Sequence, residues 1–465
     1  MQLNEKSKVP LYVELYHQFK SMIQDGKYAE DQKLPSKRKL ATSLKISPLT
    51  VDAAYQQLIA EGYVYSVEKS GYYVGKRVEL LKKKTSQTLL QDMDDVQEKV
   101  QYAYELKTNV VDTTLFPNAT WAKLAREVLS ENHHEMLNNL DPQGLQRLRR
   151  EIARYLELYR GMKVHERQIV IGSGSTSLIG MLVELLGRHK KYAIEDPGYS
   201  KIYHLFKGND VDLSLIPLDD FGCSIEMLRQ KKIDVIHITP SHQFPMGIVM
   251  PIQRRNELLN WVSETSSRYI IEDDYDSEFR YQGKPIPALQ GLDIHDRVIY
   301  MNTFTKTLAP SFRMSYMVLP EHLLSPYLTM SSYHGCTVPN FEQFILYKFM
   351  HEGYFERHVN RMRNHYREKI DKIIHLTSSC PKVSIEGYEA GLHFLIKLPS
   401  YMDESNIVDQ IRKEKIFVSG LKSYVQDLER YYQGPALVIG YSGLSSNDLE
   451  HAIQLILKII SKNIV

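Results

Sequence analysis

From residue 106 onward, short runs of β-branched and aromatic residues alternate with helical patterns: Gln168-Ile169-Val170-Ile171, Tyr192-Ala193-Ile194, Val235-Ile236-His237-Ile238, Tyr269-Ile270-Ile271 and Val298-Ile299-Tyr300. Mostly apolar strands joined by helices need cover on both faces, and that rhythm predicts an α/β domain with a mostly parallel sheet. In such sheets, ligands collect beyond the carboxyl ends of the strands. The polar residues of this chain cluster at those ends. A length of 465 residues exceeds one ordinary core, so a small domain beside a large one is expected. With 43% hydrophobic and 25% charged residues, the composition is that of a folded globular protein rather than a disordered one.

Gly172-Ser173-Gly174-Ser175-Thr176 closes the first run and opens a helix, so backbone N–H groups and the helix dipole can hold a phosphate. Asp273 and Tyr275 follow Ile270-Ile271 and, two residues apart on an extended segment, point the same way. A carboxylate there keeps a pyridine nitrogen protonated while a phenol hydrogen-bonds a ring oxygen. Thr303, Thr305, Lys306 and Arg313 follow the Val298 run. They supply two hydroxyls, an amine that forms a Schiff base with an aldehyde, and a guanidinium fork for phosphate.

The first 75 residues read differently. Leu11, Leu15, Phe19 and Ile23 mark one face of a helix that Gly26 can end. Ser36 caps a short second helix at Lys37-Arg38-Lys39, with Leu40 and Leu44 inward, and Ser47-Pro48 opens a third that runs to about Ala60. Val51, Ala54, Tyr55 and Leu58 form its core stripe, leaving Leu49, Thr50 and Ala53 outward. Tyr63 to Val67 and Tyr72 to Val74 then read as a hairpin around Glu68-Lys69-Ser70-Gly71. Three helices and a hairpin predict a winged helix-turn-helix over residues 1–75. Its DNA-binding candidates are Ser36, Lys37 and Arg38 for phosphates, Ser47, Leu49 and Thr50 at the groove, and Lys69 and Gly71 on the wing. Charge agrees: residues 1–84 hold 15 Lys and Arg against 9 Asp and Glu, in a chain that is only +2 overall.

Residues 76–105, with Lys82-Lys83-Lys84 and few aromatic residues, lack the material for a core and read as a linker that lets the head reach another subunit. Nothing in the sequence resembles a signal peptide or a membrane span, so a cytoplasmic location is expected. Cys223, Cys336 and Cys380 have no metal-like spacing, which argues against structural zinc and a disulfide framework.

Two resemblances join these parts. Leu34-Pro35-Ser36-Lys37-Arg38, Thr50-Val51, Ala54-Tyr55, Glu61-Gly62-Tyr63 and Gly71 resemble the GntR type of winged helix-turn-helix. From Asp112 onward, the ordered set resembles fold-type I pyridoxal 5′-phosphate (PLP) enzymes of aminotransferase type. That likeness implies Tyr199 stacked on the cofactor ring, Asp273 at its nitrogen, Tyr275 at its O3′, and Lys306 as the Schiff-base lysine. It also implies a phosphate cup of Gly174, Ser175, Thr176, Thr303, Thr305 and Arg313, with His242 completing the cofactor set.

In two places the pattern departs. Phe244 stands in His242-Gln243-Phe244-Pro245-Met246-Gly247 where the enzymes carry an asparagine, although H-Q-F-P-x-G is the form of MocR/GabR regulators. Val438 stands where the enzymes carry the arginine that forks a substrate carboxylate, a contact valine cannot make. The fusion resembles the MocR/GabR family. It implies a homodimeric, non-catalytic regulator that binds promoter DNA and answers to PLP as PdxR-type members do, controlling vitamin B6 synthesis or salvage. An amino-acid sensor of GabR type, with Lys201 or another Arg taking the carboxylate, and a working aminotransferase with a DNA-binding head are the alternatives.

Overall fold

The computed structural model describes residues 9–76 and 101–464, save 132, 140, 282–285, 334, 379, 381 and 382. Most of the expected linker, including Lys82-Lys83-Lys84, lies outside the described residues. The chain divides into two compact units, Met1–Lys99 and Val100–Val465.

In the first unit, α1 (Leu11–Gln24), α2 (Lys37–Leu44) and α3 (Pro48–Ala60) precede a hairpin of β1 (Val64–Val67) and β2 (Gly71–Val74). Both serine caps form: Ser36 Oγ accepts from Lys39 N–H at 3.3 Å and Ser47 Oγ from Leu49 N–H at 3.1 Å, with Pro48 in the first turn of α3. Leu15 and Phe19 of α1 bury against Val51, Ala54, Tyr55 and Leu58 of α3, and the rings of Phe19 and Tyr55 meet edge-on at 5.5 Å. Hairpin register runs antiparallel from Val64↔Val74 to Val67↔Gly71, and Lys69 at the tip takes the left-handed conformation, φ 60°. This is the winged helix-turn-helix that the helix spacing predicts.

The second unit opens with β3 (Tyr104–Glu105) and builds an eight-stranded sheet. Its strands are β4 (Ile169–Gly172), β5 (Lys191–Asp196), β6 (Asp212–Asp219), β7 (Gly222–Cys223), β8 (Val235–Ile238), β9 (Tyr269–Asp273), β10 (Val298–Thr303) and β11 (Ser315–Val318). They lie in the order β4-β11-β10-β9-β8-β5-β6-β7. From β10 through β6 neighbours are parallel, while β11 is antiparallel to both β10 and β4. Successive residues serve opposite faces. Ile169, Ile171 and Tyr300 pack with Leu148 and Ile152 of α4 (Gln146–Arg160), whereas Val170, Ile299 and Met301 pack with Leu178 and Leu182 of α5 (Ser175–Leu186). Helices on both faces explain why these strands read as apolar runs.

Helix α6 (Ser200–Gly208) follows β5, and α7 (Tyr354–Ser378) leads into a four-stranded antiparallel sheet. That sheet holds β12 (Ser384–Glu386), β13 (His393–Lys397), β15 (Ser419–Gly420) and β16 (Ala436–Gly440), backed by α8 (Ser446–Lys462). Strand β14 (Ile416–Phe417) pairs in parallel with β3, Ile416 against Tyr104. Tyr104 and Glu105, expected in the linker, are therefore part of the second unit, because their backbone groups complete a ladder. Among the described residues, no helix is long and apolar enough to cross a membrane.

Leu58 has no exposed surface. Its replacement by alanine should cost the first unit about 2–5 kcal/mol. In hydrogen exchange on the full chain, amides of α1 and α3 should lose protection while those of β8 to β10 keep theirs; equal loss in both would contradict the separation of the two cores.

Candidate functional site

One cavity sits beyond the carboxyl ends of β8, β9 and β10, where the parallel strands release their polar residues. It gathers Gly174, Ser175, Tyr199, Asp273, Tyr275, Thr303, Thr305, Lys306 and Arg313 from segments far apart in sequence. Parallel pairing of Met301 with Asp273 sets the ends of β9 and β10 side by side, so the residues beyond them arrive together. Asp273 Oδ2 is 3.2 Å from Nε2 of buried His237 on β8, which orients the carboxylate. Thr303 and Thr305 hydroxyls are 2.7 Å apart.

The electrostatics of the cavity are uneven. Beside Arg313, Gly174 precedes α5 with φ 84° and no side chain to cap the helix, leaving the N–H groups of Ser175 and Thr176 without a backbone acceptor among the described residues. A Cβ on Gly174 would lie 2.9 Å from Arg313 Nη2, so glycine preserves the room beside the guanidinium. Lys201, in the first turn of α6, shares this wall, and no ion pair links Lys201 or Arg313 to a carboxylate among the described residues. Burial, then Arg313, lowers the Lys201 pKa. In the same cavity Lys306 Nζ donates to Thr108 O at 2.6 Å. Burial pushes this amine down to about 8, opposed by the charge of Asp276. Burial and the surrounding carboxylates, Asp276 first, raise the Tyr275 phenol well above its ordinary value.

Two of the expected cofactor residues do not line the cavity. Thr176 lies one residue into α5, past the rim, although its N–H belongs to the open first turn. His242 is held behind Tyr275, with Nδ1 3.0 Å from Asp276 Oδ2 and Nε2 3.2 Å from Gly387 O. Sequence reasoning also missed several neighbours. His237, Asn302, Thr108 and Asn109 take part, and the aromatic wall pairs Tyr199 with Phe244 edge-on at 5.4 Å. His237 was visible as a lone polar residue in an apolar strand. Thr108 contributes a backbone carbonyl and leaves no signal in side-chain identity. Val438 is fully buried on β16, packed with Leu395, Leu421 and Val425 and absent from the cavity wall.

In the first unit, the start of α2, the first turns of α3 and the wing form a cleft whose lining includes Ser36, Lys37, Arg38, Leu49 and Gly71. Ser47, Thr50 and Lys69 lie outside that lining. Arg38, Ser47, Leu49 and Lys69 are exposed. The ammonium of Lys37 pairs with Asp52 of α3.

Residues 104–456 match the family model described as aminotransferase class I and II, and residues 11–74 match that of the gntR family of bacterial regulatory proteins. A Bacillus subtilis protein named as the HTH-type transcriptional regulator YdeL is 35% identical over 459 residues, 97% of this chain and 97% of its own. The HTH-type pyridoxine biosynthesis transcriptional regulator PdxR of Corynebacterium glutamicum is 27% identical over 428 residues, 91% of this chain and 90% of its own. Among solved structures, an archaeal alanine:glyoxylate aminotransferase superposes with a TM-score of 0.71 at 25% identity, covering 81% of this chain and 95% of its own.

The Lys306 amine should be neutral above about pH 8, where an ordinary lysine is still protonated. Competitive acetylation read by mass spectrometry should give a midpoint near that pH. Because Asp276 opposes the effect of burial, Asp276→Asn should move the midpoint lower still. A midpoint above pH 10 in either protein would show that the amine is solvated.

Proposed function

Because the chain belongs to the aminotransferase class I and II family and carries a gntR-family head, we propose that this transcriptional regulator holds PLP at Lys306 and binds promoter DNA according to PLP occupancy. The observation that carries the reading is the convergence of Lys306, Asp273, Tyr275 and Arg313 on one cavity at the carboxyl ends of parallel strands. The residues fit the group. Arg313, the open first turn of α5 and the two threonine hydroxyls suit a phosphate, and Gly174 leaves space that a Cβ would fill. PLP, when bound, supplies an aldehyde carbon for an amine and a ring that withdraws electrons from it.

The chain's own residues do the rest. Lys306 offers an amine whose neutral form is favoured by burial. Asp273, oriented by His237, places a carboxylate to hold a proton on a ring nitrogen. Tyr199, Phe244 and Tyr275 supply an aromatic wall. Among the described residues lining the cavity, Arg313 is the one guanidinium, so no second fork stands ready for a substrate carboxylate.

PLP itself is the effector in this reading, and vitamin B6 synthesis or salvage the process controlled. Burial of Val438 in the core supports it, as does the 27% identity to a regulator named for pyridoxine biosynthesis. The head takes phosphates through Arg38 and base edges through the start of α3, and the protein works as a homodimer on paired half-sites. It does not turn over amino acids. A second reading, sensing of an amino acid together with PLP, draws on Lys201 as an alternative carboxylate partner in the cavity.

Titration of operator binding with PLP alone, then with PLP plus a panel of amino acids, separates the two: a full response to PLP alone is expected, and a response that appears only with an amino acid overturns it. Lys306→Ala should abolish both the visible absorbance given by PLP and the change in footprint. Arg38→Ala should weaken operator binding about tenfold and leave the PLP spectrum unchanged. Sustained product formation from an amino donor and a 2-oxoacid would contradict the non-catalytic reading.

A further inference from the structure

Behind the cavity wall lies a buried cluster that the reading above leaves unused. His242 and Asp276 are each 2% exposed. His242 Nε2 donates to Gly387 O at 3.2 Å, since a carbonyl only accepts, and Nδ1 faces Asp276 Oδ2 at 3.0 Å. Leu392 N–H donates to the same carboxylate oxygen at 3.3 Å. The His393 ring lies 4.5 Å from that of His242, and its Nε2 donates to Pro245 O at 3.1 Å. Ligand atoms of His242, Asp276 and His393 fall within 4.8 Å of one another. Both nitrogens of His242 and Nε2 of His393 are already hydrogen-bonded, so the cluster is a protein network rather than a cation cage.

The backbone is kept bare around this network. A Cβ on Gly391, where φ is 72°, would come within 2.0 Å of His242 Nδ1 and 2.3 Å of Asp276 Oδ2. Gly247 and Gly387 approach as closely, a Cβ on Gly247 falling 2.4 Å from Gly387 Cα. Three glycines are thus required for the loop after β8 to seat against the C-terminal sheet.

Tyr275 connects the network to the cavity. Its hydroxyl donates to the main-chain oxygen of His242 at 2.9 Å and lies 3.3 Å from Nδ1, and among the described residues both polar contacts of that hydroxyl are made to His242. Phe244, whose ring meets that of Tyr275 edge-on at 6.3 Å, brings no polar group to the phenol.

We propose that His242, braced by Asp276, is a positioning residue for Tyr275: it fixes the phenol at the cavity wall and ties it through Gly387 and Leu392 to the C-terminal sheet. The inference rests on the PLP reading of the cavity.

A double-mutant cycle on the full chain tests it, with PLP affinity of the cofactor-free protein read by absorbance and fluorescence titration. His242→Asn should weaken PLP binding about tenfold when Tyr275 is present and less than about twofold in the Tyr275→Phe background. Equal losses in both backgrounds would overturn the proposal, because a residue acting only on the fold does not depend on the phenol. Should His242→Asn fail to fold, His242→Gln gives the same cycle, and failure of both would mark His242 as purely structural and defeat the positioning role. If the unmodified protein binds no PLP, the cofactor reading fails and takes this inference with it, whereas PLP binding with additive losses defeats the inference alone.

Discussion

Residues 272–278 hold the constraint around which the second unit is arranged. Glu272, Asp274, Asp276 and Glu278 are all buried, alternating with the cavity residues Asp273 and Tyr275. An unpaired buried carboxylate costs several kcal/mol, so each must find a partner. Glu272 accepts from the N–H groups of Leu289 and Gln290 at 2.8 and 2.9 Å. Asp274 pairs with Arg160 of α4 at 2.8 Å and accepts from the Tyr300 hydroxyl at 2.6 Å. Asp276 takes His242 and Leu392, and Glu278 takes the Asn302 amide at 3.4 Å. Burial, with Asp274 beside it, pushes Glu278 up to about 7. A helix, a neighbouring strand, two loops and the C-terminal sheet are thereby fixed relative to the strand end that carries the site.

Asp273 and Tyr275 read as two residues apart on an extended segment, and both line the cavity, although β9 ends at Asp273 and Tyr275 stands in the bend that follows. Period-two alternation does not run through the bend and turn of residues 275–278, so the buried row of Glu272, Asp274, Asp276 and Glu278 was not legible from it. Its partners were equally hidden, because Arg160, His242 and Leu289 come from positions that only tertiary packing brings near. In the first unit the local signals sufficed, since capping serines, Pro48 and a four-residue apolar spacing are all short-range.

Short elements and backbone contacts escaped for a different reason. Ser315–Val318 is a four-residue strand lying between β4 and β10, and nothing in Ser-Tyr-Met-Val distinguishes it from a buried loop. Strand β3 has two residues and exists only because Ile416 and Phe417 offer a ladder. The ion pair of Lys37 with Asp52 left no local signal either, since it is fixed by how α2 crosses α3. His242 belonged to the right motif and the wrong side of the wall, since spacing along a loop does not say which way a buried imidazole turns.

The cavity brings charges of both signs together, and their placement follows from the fold. The N-terminus of α5, Arg313 and Lys201 supply its cationic groups, with no carboxylate paired to either side chain among the described residues. Asp273 at the tip of β9 supplies a carboxylate. Lys306 lies among these charges, its proton favoured by Asp276 of the buried row and disfavoured by burial. A ligand complementary to such a space carries an anionic group for the cations and a protonated heteroatom for Asp273. The buried carboxylate that tunes Lys306 is the one that braces His242, so the amine and the phenol of the site answer to a single charge. A change at Asp276 should therefore be felt at both.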